Sequence, residues 1–154
     1  MEVTTKITGL KELERQLLKL EKKVSGKVLR NAARTALRPM QKAAKRNAPK
    51  STTTYLRWTR KGSYPVWTKP GALRKSIRLS ARLNKRGVGK TAVTAKVSAG
   101  SKDAFYAHMV ERGTVKMPAQ PFMMPAFAGH KRESLDLFSK DLKKRIDEVK
   151  RGRR

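Results

Sequence analysis

Apolar residues recur along this chain at helical spacing near both ends and at strand spacing between them. Val3, Thr5 and Ile7 alternate with polar neighbours, the pattern of a short strand, which Gly9 breaks. Leu10, Leu13, Leu17, Leu20 and Val24 then follow at steps of three and four, one face of a helix. Ser25-Gly26 reads as a weak break. A second stripe follows, Leu29, Ala33, Ala36, Met40 and Ala44, whose alanines suit close approach of another element. Pro39 falls inside it and predicts a kink or a boundary, because it lacks an N–H and clashes with the preceding turn. Ala48-Pro49 ends the helix. Residues 50–70 show no apolar period and read as a long loop. Leu73, Ile77, Leu79 and Ala81 fit a strand, 84–90 a Lys/Arg/Gly-rich hairpin connection, and 92–97 the returning strand. A short helix is expected within 104–112. Pro125 suits the first turn of a last helix with the stripe Leu135, Phe138, Leu142, Ile146 and Val149. A basic, frayed tail is expected over 150–154. The order predicts an α+β fold: a small, mostly antiparallel sheet packed against an N-terminal helix pair and a long C-terminal helix. At this length a single domain, 1–154, is expected.

Charge changes the picture. The chain has 39 Lys and Arg against 11 Asp and Glu, a formal charge of +28. No acid stands between Glu21 and Asp103, while that stretch carries 23 Lys and Arg. Such a protein repels itself, so nucleic acid, an acidic protein surface or much counterion is expected nearby. Arg30, Arg34, Arg38, Lys42, Lys45 and Arg46 line the second helical stretch, either as a solvated face or as a positive stripe for non-specific DNA contact. The absence of cysteine excludes disulfides and Cys-ligated metals. No apolar run is long enough for a bilayer span, and the N-terminus lacks the layout of a signal peptide, so synthesis in the cytoplasm and no membrane contact are expected.

Candidate chemistry is sparse. Gly87-Val-Gly-Lys-Thr91 imitates the end of a phosphate-binding loop, but Asn84 stands where the first glycine is needed and a strand follows instead of a helix. His108 and His130, with Glu111 three residues beyond His108, give no metal-ligand set. No paired acids and no nucleophile-base constellation can be assembled, so no catalytic residue, cofactor or metal is expected. Within 50–70, Trp58, Tyr64 and Trp67 are interleaved with Arg60 and Lys61. Three readings stand side by side: a protein interface, packing of the rings onto the core, and stacking of single-stranded nucleic acid.

Several short motifs occur in order: Ile7-Thr-Gly-Leu10, Ala43-Ala-Lys-Arg-Asn-Ala-Pro49, Gly71-Ala-Leu-Arg-Lys-Ser-Ile77, then Tyr106-Ala107 with Val110-Glu-Arg-Gly-Thr114, and Ala119-Gln-Pro-Phe-Met-Met-Pro-Ala126. In this order they resemble the tail-component, or tail-completion, family of tailed phages named after gene product ten of phage HK97. One departure is the stretch 50–70, where such proteins have only a short link. The resemblance implies a structural virion protein of the head-to-tail junction, not an enzyme, that acts with other neck and tail proteins by assembling as a ring, often of six subunits. Carried onto this chain, its motif residues are Tyr106, Glu111, Gly113, Thr114, Pro121, Phe122, Pro125 and Ala126. Gly113 is expected to turn the chain at positive φ. The prolines are expected to fix the backbone around Phe122. Glu111, in a chain this basic, is expected to pair with a cation. A basic nucleic-acid-binding protein is the competing reading.

Overall fold

Helix α1 (Leu10–Leu18) brings Leu13 and Leu17, and helix α2 (Lys22–Ala36) brings Val24, Val28, Leu29 and Ala32, to one core. The computed structural model describes residues 10–18, 22–50, 54–58, 65–84, 92–101 and 103–152. The expected strand around Val3–Ile7 therefore lies outside the described residues. Helix α3 (Arg38–Asn47) follows, then strands β1 (Tyr55–Trp58) and β2 (Pro65–Thr68), and the short helix α4 (Ala72–Ser76). Strands β3 (Arg78–Leu83) and β4 (Val93–Ser98), helix α5 (Ala107–Arg112) and the long helix α6 (Met123–Arg151) complete an α+β fold. The strands form two separate two-stranded sheets, β1-β2 and β3-β4.

The chain divides into two compact units. One comprises Met1–Met40, Leu79–Val97 and Gly129–Arg154, the other Gln41–Arg78 and Ser98–Ala128. In the first, Leu13, Val28, Ala32, Leu142 and Ile146 form a buried cluster on α1, α2 and α6, with Leu17, Val24, Leu29, Phe138 and Val149 packed around it. Full burial of each large aliphatic side chain contributes about 1.5–3 kcal/mol, so this cluster dominates the unit. On its rim, Lys150 Nζ donates to Gln16 Oε1 at 3.0 Å. In β4, Val93, Ala95 and Val97 are half-buried while Thr94, Lys96 and Ser98 are exposed, the period of two read from the sequence.

In the second unit, among the described residues, the buried ones are mostly small: Ala43, Ala44, Ala48, Ala104, Ala107 and Ala126, together with Leu73, Ile77, Val110 and Phe122. Polar contacts fix the elements around them. Arg74 Nε donates to the Ala48 carbonyl at 2.9 Å, and its Nη2 to the Arg46 carbonyl at 3.5 Å, so a cation from α4 covers the carbonyl end of α3. Gln41 Nε2 donates to the Ile77 carbonyl at 3.2 Å. The buried Ser76 hydroxyl donates to Leu73 O at 2.7 Å and accepts the Gly100 N–H at 3.1 Å.

The structure corrects several expectations. Ser25-Gly26 is no break: both residues are buried inside α2. A Cβ on Gly26 would lie 2.8 Å from Leu83 Cδ2, so this glycine leaves room for the end of that side chain, at a helix cost of about 1 kcal/mol. Pro39 does mark a boundary. Leu37 forms a turn, and Pro39 sits in the first turn of α3, where a missing N–H is tolerated. The 50–70 loop contains an antiparallel pair, with Tyr55 opposite Thr68, Leu56 opposite Trp67 and Trp58 opposite Pro65. Aromatic and branched residues favour such strands, but four residues are too few to show a period. The strand expected from Leu73 begins only at Arg78, because Leu73 and Ile77, four apart, lie in and just after the single turn of α4. Helix α6 continues to Arg151, and residues 153–154 of the expected tail lie outside the described residues.

Candidate functional site

The motif residues that sequence reading singles out converge on one junction, between the end of α5 and the start of α6. Helix α5 stops because Gly113 takes φ 76° and ψ 177°, a conformation open only to glycine. Its N–H still donates to Met109 O at 2.7 Å. A Cβ there would meet Ala119 N at 2.8 Å and Met117 O at 3.0 Å, so the backbone passes too close for any side chain. Thr114 and Met117 close a tight turn by exchanging backbone bonds of 2.8 and 3.2 Å. The chain then returns along α5, where Gln120 N–H donates to Val110 O at 2.8 Å.

That return delivers the start of α6 to Glu111. Its Oε2 accepts the N–H groups of Phe122 and Met123, and its Oε1 that of Met124, each at 2.9 Å. The first four N–H groups of a helix have no partner within it. Here the carboxylate takes three, and the fourth position is Pro125, which has no N–H to satisfy. The arrangement accounts for the spacing of Glu111, Phe122 and Pro125 without any partner molecule. The carboxylate also faces the positive end of the α6 dipole. Partial burial pushes the Glu111 carboxyl up, but the backbone donors of Met123, Phe122 and Met124 outweigh it and hold it below its usual value of 4.5.

Among the described residues, Glu111 is held by backbone amides and not by the expected cation. In a chain dominated by Lys and Arg, its partner is the helix N-terminus. The fold has used one of its few acids where three amides must be satisfied together. Phe122 and Ala126, one turn apart, are both 1% exposed and lock the same turn from its apolar side. Tyr106 is half-buried, and its carbonyl accepts the N–H groups of Met109 and Val110 at the start of α5. Thr114 and Pro121 are exposed on the returning segment.

Around this junction stand large apolar side chains that water reaches. Met124 is 67% exposed, Phe127 50%, and Val115, at the tip of the Thr114–Met117 turn, is fully exposed. In the sequence Met124 stands within the Ala119–Ala126 motif without being singled out, and neither Val115 nor Phe127 is singled out. The signal was available: Phe122 and Ala126 define the buried face of α6, which leaves Met124 and Phe127 on the other.

The other candidates fare differently. Trp58 and Trp67 fall in β1 and β2 but on different rungs, while Arg60, Lys61 and Tyr64 lie outside the described residues. Gly87–Thr91 lies outside them too. His108 Nδ1 stands 2.9 Å from Phe105 O, not against Glu111. Among the described residues no group of three or more His, Asp and Glu gathers as metal ligands, and no helix is long and apolar enough to cross a membrane. Arg30, Arg34, Arg38, Lys42, Lys45 and Arg46 are all exposed.

The class of this protein, a phage tail component, follows from its family. The chain belongs to the HK97-gp10-like family of bacteriophage tail components, whose family model matches residues 11–113. The match takes in the Glu-x-Gly of the junction and ends at Gly113, before the Pro121–Ala126 segment. No curated protein matches the chain, and no solved structure does. A tail component places the chain in the virion and among other tail proteins.

Proposed function

We propose that this chain is a tail-completion or neck protein of the head-to-tail junction. It joins copies of itself into a ring and meets other neck and tail proteins there, acting by assembly and not by catalysis. The observation that supports this reading is the exposed apolar set Val115, Met124 and Phe127, held by the Glu111 cap and the Gly113 return. An isolated protein gains nothing from holding such residues rigidly in water, whereas an interface gains affinity from anchors that are ordered beforehand. The ring is the natural form for such a surface, because a heterologous contact that closes limits its own growth. The test is complementation of a phage lacking this gene with wild-type or Met124→Asp/Phe127→Asp protein, followed by electron microscopy. The wild type should restore joined particles, and the variant should leave separate heads and tails although it folds. Normal particles with the variant would contradict the reading.

A further inference from the structure

The second unit holds a cleft of about 450 Å³ whose walls carry Lys69, Lys75 and Arg78 together with Ser101 and a single acid, Asp103. None of the junction residues lines it. Its base is fixed: the buried Ser76 hydroxyl binds both Leu73 O and the Gly100 N–H, which holds α4 to the segment bearing Ser101 and Asp103.

We infer that this cleft binds backbone phosphates of DNA through Lys69, Lys75 and Arg78. Three observations carry this. Asp103 and Glu111 are the only acids in the sequence of this unit, and Glu111 is committed to three backbone amides. The three cations of the cleft therefore face one carboxylate. In the same unit α3 presents Lys42, Lys45 and Arg46 to solvent, and Arg74 ties the end of that helix to α4. A polyanion with regularly spaced charge suits a cleft and a row of cations together. Finally, among the described residues, the exposed large apolar side chains of this unit, Phe105, Val115, Met124 and Phe127, are all absent from the cleft wall. Protein interfaces rely on apolar and aromatic anchors, whereas contacts to DNA are polar and strongly positive, which favours DNA over an acidic protein surface.

The test uses the full chain and a fluorescein-labelled duplex of about 20 base pairs, followed by anisotropy across a salt series. Lys69→Gln/Lys75→Gln/Arg78→Gln is compared with Lys140→Gln/Lys143→Gln/Lys144→Gln, an equal charge loss at exposed positions of α6. The cleft variant should bind at least about tenfold more weakly near physiological salt. Its salt slope should shrink by about 0.9 for each phosphate no longer neutralised, and the control should lose less than about threefold. Asp103→Asn should bind more tightly than the wild type. Equal losses in the two triple variants would overturn the inference, reducing the binding to net charge. So would poly-L-glutamate that binds the wild type more tightly than DNA does and with the same cleft dependence. Acetylation of the unaltered protein gives a readout that requires no variant to fold. DNA should protect Lys69 and Lys75 and leave Lys140, Lys143 and Lys144 reactive; unprotected Lys69 and Lys75 would refute the site.

Discussion

Replacing Glu111 by alanine removes one acceptor group and strands three amides at once. Phe122, Met123 and Met124 each donate to this carboxylate at 2.9 Å. A capping bond to one such amide contributes about 1 kcal/mol. A full negative charge at a helix N-terminus adds about 0.3–2 kcal/mol, depending on exposure. Water recovers part of the loss, because the site is only half-buried. The expected cost is therefore about 3 kcal/mol, or a fall in Tm of about 6–12 °C at this chain length. Glu111→Gln keeps an acceptor oxygen but loses the charge, and should cost about 1–2 kcal/mol. Asp136→Ala, at an exposed position of α6, should stay within about 0.5 kcal/mol. Thermal and urea denaturation measure the totals. Amide exchange at Phe122, Met123 and Met124 locates the effect, and exchange there should accelerate in Glu111→Ala. Equal small losses in Glu111→Ala and Asp136→Ala, with those amides still protected, would refute the capping argument.

Further expectations rest on other features. Gly113→Ala puts a side chain where φ is 76° and Ala119 N would lie 2.8 Å from its Cβ; strain alone costs about 1–3 kcal/mol, so urea unfolding should show a loss of about 3 kcal/mol or more. Ile146→Ala, at a fully buried position in the helical cluster, should cost about 2–5 kcal/mol in the same assay. Because folding lowers the Glu111 pKa below 4.5, its stabilisation is complete above the unfolded-state value and is lost as pH falls through the folded-state value. The difference in stability between wild type and Glu111→Gln should accordingly shrink on acidification below about pH 4.5, as measured by urea titration at each pH.

How much of this was legible in the sequence depends on what carried the signal. The stripe from Leu135 to Val149 runs through a single long helix, so periodicity alone located its buried face, with Leu142 and Ile146 at the centre. Pro39, Ala48-Pro49 and Pro125 fell at helix boundaries because proline acts through local sterics. The 50–70 hairpin was missed because each strand is four residues long and its pairing is a contact between segments. Gly26 misled for the opposite reason: its local cost argued for a break, while its use, room for Leu83, is tertiary. At the junction the residues were found but not their roles. Glu111 and Phe122 are eleven positions apart, and only the Gly113 return brings the carboxylate to the amides. The cation excess pointed to an ion pair, but a helix end offers an acid three donors at fixed geometry.

The central claim, that the junction presents an assembly surface, is tested most directly by sedimentation velocity of the purified chain over a range of concentrations. The wild type should form one discrete multimer whose mass is a whole-number multiple of the chain. Met124→Asp/Phe127→Asp should remain a monomer with unchanged helicity. A wild type that stays monomeric at every concentration, or a variant that forms the same multimer, would contradict the account.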